Sequence, residues 1–386
     1  MEIKTAKTLQ QLPPYLFVEI DKAKRKARQA GKDLIDLGIG DPDIPTPKHI
    51  IEALYRAAKN PLNHRYAMDA GMPAFREEIA TWYNNRFKVK LDPINEILPL
   101  LGSKEGIAHT PFAFLNKNDV TLVPDPGYPP YSNATILAGG IPYRMPLLQE
   151  NDFLPDLKKI PAAVLKKAKL IFLNYPNNPT AALAPKQFLQ DVIKFAKKNK
   201  IIICFDMAYS EMSYDNYRAP SILELSGAKE VAVEFHSLSK TFNMTGWRVG
   251  WVCGNKDVVA AIAKIKSNVD SGIFQAVQLA GIAALKSPRS FYEGMSKIYQ
   301  QRRDILVTGL SKIGFEVKAP KATFYVWTKI PSGKNSIEFS NHLMQNADIV
   351  VTPGVGFGKS GEGYIRFALT QNKTRIKEAV ERLAVL

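Results

Sequence analysis

Short apolar runs rich in valine and isoleucine recur through the middle of the chain, at 119–124, 168–174, 200–206, 230–236 and 247–253. Runs of this kind, with little alternation of polar residues, are what strands buried on both faces require, so they predict a mainly parallel sheet. Between them the apolar positions take helical spacing, as in 185–199 (PKQFLQDVIKFAKKN), which opens on proline and closes on lysines that suit the negative end of the helix dipole. The alternation predicts an α/β fold with helices on both faces of the sheet. After residue 286 the order changes to a long charged helix at 288–313, a strand at 322–329, a helix at 336–346, strands at 348–352 and 363–369, and a closing helix at 372–385. That pattern predicts a smaller α+β unit. A chain of 386 residues exceeds the roughly 250–300 at which single cores stop growing. We therefore expect a large domain over 46–285 and a small domain that joins 1–45 to 286–386.

Charge and composition narrow the partners. Lysine and arginine number 52 against 36 acidic residues, a formal charge of +16. The basic residues are spread along the chain, and the densest run, 22–28 (KAKRKAR), has the pattern of a solvated helix face. No basic stretch is interleaved with stacking aromatics, so no nucleic-acid partner is expected; phosphate and acidic small molecules use the charge better. The apolar runs fall short of the roughly 20 residues that cross a bilayer, and the N-terminus lacks the pattern of a secretory signal. A cytoplasmic protein without membrane contact is the expectation. Cys204 and Cys253 lie in apolar runs, as buried thiols in a reducing compartment would. The five histidines show no ligand spacing, and no metal is expected.

Candidate chemistry concentrates in six segments. SLSKTFNMTGWRVG sets Ser237 and Ser239 beside Lys240, with Arg248 eight residues on. Hydroxyls, backbone N–H groups and a guanidinium are the parts of a phosphate clamp, and a nearby lysine can form an imine with an aldehyde; the alternative is a turn with a surface lysine. FDMAYSE ends a strand on Asp206 and follows it with Tyr209. Asp206 either faces the crevice at the strand ends, where it can hold a pyridine nitrogen protonated, or caps the next helix. Asn178 in NYPNNPT is an amide donor or a turn residue, and Tyr128 in DPGYPPY is a stacking ring or a core tyrosine. GSKEG offers Ser103 and Lys104 at a helix start that can bind phosphate or simply be capped. Arg366 lies inside the apolar strand GYIRFALT, where it needs either an internal carboxylate or one from a substrate.

Taken in chain order, GSKEG, DPGYPPY, NYPNNPT, FDMAYSE, SLSKTFNMTGWRVG and GYIRFALT resemble the class I aminotransferases of fold type I, over nearly the whole chain. The resemblance implies pyridoxal 5'-phosphate held as a Schiff base on Lys240, with Asp206 on the pyridine nitrogen. It implies Tyr209 and Asn178 on the ring oxygen, Tyr128 stacked on the ring, and Ser103, Lys104, Ser237, Ser239 and Arg248 around the phosphate. Arg366 would bind the substrate carboxylate. LPPYLFVEIDKAK, LGIGDPDIPTP, GSKEGIAH, VPDPGYPPY, EFHSLSKTFNMTGWRVG and PKATFYVW are more closely similar to the LL-diaminopimelate aminotransferase family. That likeness implies exchange of an amino group between LL-2,6-diaminopimelate and 2-oxoglutarate in lysine synthesis. Tyr15, Gly40, Lys104, Tyr128 and Asn178 would also touch substrate, and Tyr66 would reach the phosphate of a partner subunit in a homodimer with composite sites. Asp69, three residues beyond Tyr66, is either an anion for the distal ammonium or a solvated turn residue. The family's NPTG reads NPTA here, and Ala181 is accommodated if its φ is negative. The alternatives are a class I aminotransferase for alanine, aspartate, methionine or aromatic amino acids, or a β-lyase.

Overall fold

The structure, a computed structural model, describes residues 3–13, 16–331 and 333–386. Its strands are β1 (Ile35–Asp36), β2 (Ile97–Leu100), β3 (Val120–Asp125), β4 (Ile141–Pro146), β5 (Ala168–Asn174) and β6 (Ile202–Asp206). They continue with β7 (Ala232–Ser237), β8 (Gly250–Gly254), β9 (Tyr325–Lys329), β10 (Ile349–Val350), β11 (Thr352–Pro353) and β12 (Tyr364–Ala368). Seven of them form one sheet in the order β2-β8-β7-β6-β5-β3-β4. Neighbours from β7 through β4 pair in parallel, while β8 runs against both β7 and β2. The expected strand at 247–253 therefore starts three residues late and is the reversed one. Thr245–Trp247 forms a 3-10 turn instead, and Arg248 takes a left-handed φ of 55°.

Alternate side chains of the sheet feed opposite cores, as the two-residue period requires. Ile171, Leu173, Ile203 and Phe205 pack with the helices Pro73–Phe87, Lys186–Asn199 and Gln275–Leu285. Leu170, Phe172, Cys204, Val233 and Phe235 pack with Ser103–Phe114 and Lys256–Val269 on the other face. β4 has no counterpart in the apolar pattern, because it is an edge strand with most of its residues partly or fully exposed.

A separate core holds the antiparallel sheet β11-β12-β9 and the helices Arg289–Lys312, Ser336–Asn346 and Lys373–Leu383. The expected strand at 348–352 is two strands, β10 paired with β1 and β11 paired with β12. The β1–β10 ladder carries the segment after β1 back toward the C-terminal ends of the large sheet. Among the described residues, no helix is long and apolar enough to cross a membrane.

Candidate active site

The floor of the cleft is built from the ends of β5, β6 and β7. Asp206 closes β6 and is buried; its Oδ2 accepts a hydrogen bond from the Tyr131 hydroxyl at 2.7 Å. Burial pushes its carboxyl up to about 6, against the lowering effect of Tyr131, the Ala208 N–H and His236. Asn174 at the end of β5 donates to the Asp206 carbonyl at 2.8 Å and accepts from the Asn178 N–H at 2.7 Å, so neighbouring strand ends are locked to one another.

Lys240 follows β7 on the short helix Leu238–Thr241, where the Ser237 hydroxyl caps the Ser239 N–H. Its ammonium donates to the Gly40 carbonyl at 2.7 Å. Burial lowers its pKa to about 8; Asp41 opposes that shift, and the charges of Arg366 and Arg248 add to it. Beside it, the helix Ser103–Phe114 begins on Gly102 with no side-chain cap, and Ser103 and Lys104 of its first turn line the cleft. Gly102 has φ 81°, which favours glycine, and a Cβ there would lie 2.4 Å from Arg248 Nη2, so the guanidinium would have to move. Arg248 bridges this turn through Leu101 O (3.3 Å) and its own through Thr245 O (2.8 Å).

Arg366 on β12 forms the opposite wall and is buried. It donates to Asn178 Oδ1 and the Gly38 carbonyl, each at 2.7 Å, and to Thr352 Oγ1 at 3.4 Å. Its guanidinium lies between the rings of Tyr325 and Phe357, at 4.1 and 4.6 Å. Burial draws its pKa below the usual arginine value. Among the described residues its hydrogen-bond partners are all neutral oxygens, and Nε is buried without a partner. Tyr325 also shares a 3.0 Å hydrogen bond with Tyr209. Its hydroxyl occupies the place of a Gly40 side chain, 2.0 Å from where a Cβ would be.

The cleft between these walls has a volume of about 290 Å³. A family model described as aminotransferase class I and II matches residues 32–383. The chain belongs to the class I and II aminotransferases. It is 53% identical over 381 residues to the LL-diaminopimelate aminotransferase of Moorella thermoacetica, covering 99% of this chain and 98% of that one. Among solved structures, substrate-bound BacF from Bacillus subtilis superposes with a TM-score of 0.96 at 38% identity, over 100% of this chain and 98% of that one. A Thermus thermophilus aspartate aminotransferase single mutant gives 0.93 at 28%, over all of both chains.

The aminotransferase uses pyridoxal 5'-phosphate, and the cleft fits it. It holds an amine of lowered pKa, uncapped helix N–H groups with hydroxyls and a guanidinium for a phosphate, and a buried carboxylate whose hydrogen-bond partners are neutral. The fold brings Gly40, Ser103, Lys104, Tyr128, Asn178 and Asp206 to this one cleft, together with Tyr209, Ser237, Ser239, Lys240, Arg248 and Arg366. It leaves Tyr66 out, 94% exposed on the surface; Asp69, half-buried in the same loop, does not line the cleft either. Tyr15 lies outside the described residues.

Two findings go beyond the sequence reading. Tyr131 and Tyr325 belong to the site but were not singled out; the second tyrosine of DPGYPPY and the PKATFYVW segment were the available signals. Ala181 has φ 58°, not a negative value, because the turn closes on Asn177, whose carbonyl accepts the Ala181 N–H at 2.9 Å. Alanine occupies a left-handed position there.

Proposed function

We propose that this aminotransferase exchanges an amino group between LL-2,6-diaminopimelate and 2-oxoglutarate in lysine synthesis. The observation that carries the reaction is Lys240, an amine with its pKa drawn down to about 8 in a cleft between Asp206 and Arg366. The substrate rests on the 53% identity, over nearly the whole length, to proteins named LL-diaminopimelate aminotransferase. Lys240 would hold the cofactor aldehyde covalently, Asp206 the ring nitrogen, Tyr209 and Asn178 the ring oxygen, and Tyr128 the ring face. Ser103, Lys104, Ser237, Ser239 and Arg248 would hold the phosphate. Bound pyridoxal phosphate supplies a carbonyl that accepts the amino group and a ring that withdraws electrons from the substrate Cα.

The protein's own groups do the rest. Asp206, were it to face a cationic ring nitrogen, would stay ionised and hold the ring proton in place. Lys240 would have to be uncharged to accept the Cα proton, and the lowering of its pKa to about 8 by burial favours that form. Asn178 gives its carbonyl oxygen to Arg366, which leaves its amide N–H groups for the ring oxygen. Arg366 offers a planar donor fork to the substrate carboxylate. Gly40 comes from the N-terminal segment to the substrate side, and the family likeness would add Tyr15 as a further substrate contact.

We further propose a homodimer in which Tyr66 reaches the partner's phosphate, working in the cytoplasm. Tyr55, Leu62, Tyr66 and Met68 are 63%, 61%, 94% and 64% exposed, large side chains close together in sequence of the kind a second copy would cover. Asp69, in the same loop, would approach the distal ammonium of the partner's substrate. Both cysteines are buried free thiols, in keeping with a reducing compartment. The division into domains 46–285 and 1–45 with 286–386 is supported by a core that joins Ile35 and Leu37 to side chains between 295 and 383, with Tyr209, Met212 and Tyr214 packing onto it from the large domain. Incubation with LL-diaminopimelate and 2-oxoglutarate should yield glutamate. Preference for alanine, aspartate, methionine or an aromatic donor would replace the substrate reading, and pyruvate without an acceptor would replace the reaction. Mixing inactive Lys240→Ala with an impaired Tyr66→Phe protein should restore activity; none restored would oppose the composite site.

A further inference from the structure

Behind the phosphate-binding turn, and outside the cleft, lies a cluster of buried charges. Lys266, on the helix Lys256–Val269, is fully buried. All three of its ammonium hydrogens have acceptors: Glu105 Oε1 at 2.8 Å, Asp270 Oδ1 at 2.5 Å and the Ser271 carbonyl at 2.9 Å. His109 fills the remaining side, with Nδ1 3.7 Å from Glu105 and Nε2 3.8 Å from Asp270. Glu105, His109 and Asp270 bring ligand atoms within 4.8 Å of one another, as a cation site would. The cation on both carboxylates is the Lys266 ammonium. Buried ion pairs return in attraction about what they lose in desolvation, so stability alone is a poor reason for this arrangement. Its directions are a better one.

On one side the cluster reaches the site. The second oxygen of Glu105, Oε2, accepts the Leu101 N–H, and the Leu101 carbonyl accepts Arg248 Nη2 at 3.3 Å. Leu101 and Gly102 form the turn before the uncapped helix. On the other side, Asp270 and Ser271 lead to Gly272, which is packed so closely on the loop 67–68 that a Cβ would lie 2.4 Å from Met68 O and 2.8 Å from Ala67 O. Tyr66 is the next residue back along that loop.

We propose that Lys266, through Glu105 and Asp270, is a positioning residue for phosphate binding. It holds the Leu101–Ser103 turn and Arg248 in register within its own chain, and it holds the loop that carries Tyr66 toward the partner. The inference rests on the phosphate roles proposed above. The test compares cofactor with and without its phosphate. Enzyme stripped of cofactor is titrated with pyridoxal phosphate and with pyridoxal, followed by absorbance, for the native protein, Lys266→Met and Glu105→Gln.

Both variants should bind pyridoxal phosphate roughly tenfold or more weakly, with pyridoxal binding changed by less than about twofold, because the lost alignment acts on charge-assisted bonds to phosphate alone. If Lys266→Met does not fold, Glu105→Gln, which keeps the side-chain length and removes the charge, decides. Native preference for pyridoxal phosphate that persists in the variants, or equal losses for both ligands, overturns the role of Lys266. A native protein that binds the two equally overturns the phosphate-site reading and the inference with it.

Discussion

The floor of the cleft around Asp206 and the wall around Arg366 each bury an ionisable group whose hydrogen-bond partners are neutral. They manage it differently. Asp206 stands at the end of a central strand of a seven-stranded sheet and can shed its charge, since burial moves its carboxyl up to about 6. Arg366 stands on a three-stranded sheet and keeps its charge, eased by two aromatic faces and three neutral oxygens. A group that can become neutral tolerates an empty cleft at mild acidity; one that cannot needs a lining built around it. The two regions meet at Lys240, which touches the Gly40 carbonyl of the wall segment, and at Asn178, which bonds Arg366.

Removing the meeting point has the largest expected effect. Lys240→Ala should lower turnover by at least about a thousandfold, the range of a lost proton-transfer group, and borohydride should no longer attach cofactor to the peptide around residue 240. Normal turnover, or a label elsewhere, would remove Lys240 from the chemistry.

Substitutions on the two sides should then separate. If Arg366 binds the substrate carboxylate as proposed, Arg366→Met should raise KM for the amino donor by about a hundredfold, with the cofactor absorbance intact, through the loss of two charge-assisted bonds. Asp206→Asn should instead weaken cofactor binding and lower kcat with a small change in KM. Equal effects on KM from both would erase the distinction between floor and wall.

Stability sharpens the contrast through pH. The Asp206 pKa is raised from 3.8 to about 6 on folding, so its contribution to stability is full below the unfolded value and is lost as pH rises through about 6. Without cofactor, Asp206→Asn should therefore be the more stable protein at pH 7, by roughly 1–3 kcal/mol, with the advantage vanishing toward pH 4. Denaturant melts of the cofactor-free proteins at both pH values measure this. A less stable asparagine variant at pH 7 would show that the hydrogen bonds to Asp206 outweigh its desolvation.

Legibility in the sequence divides along the same line. The floor is written in contiguous words, because a parallel strand and the turn after it deliver Asp206 and Tyr209, or Ser237 and Lys240, within a few residues. The wall is assembled from β9, β11, β12 and the segment after β1, so Arg366 was visible as a charge in an apolar strand while its partners Tyr325, Thr352 and Gly38 were not. The central strands were legible from burial on both faces, and β4 was not, since an exposed edge has no apolar run. Tyr131 was hidden for another reason. A tyrosine whose ring is in the core and whose hydroxyl reaches a carboxylate has the same pattern as a core tyrosine.

The smallest expected effect lies in the turn that follows Asn178. Ala181 holds φ 58°, a conformation that costs an L-residue with a Cβ roughly 1–2 kcal/mol. Glycine relieves that cost but loses more chain entropy on folding, by about 0.4–1 kcal/mol. Ala181→Gly should thus stabilise the protein by roughly 0.5–1 kcal/mol, readable as a small rise in denaturant midpoint at constant slope. The turn is held independently by Asn177, which accepts from the Thr180 N–H at 3.0 Å and the Thr180 hydroxyl at 2.7 Å. Asn178 should therefore keep its place under Arg366, and KM for the donor should not move. A lower midpoint would mean that the methyl of Ala181, a residue only 8% exposed, contributes more by packing than its backbone loses. A changed KM at unchanged stability would mean that the floor and wall are joined through this turn rather than through the Asn178 side chain alone.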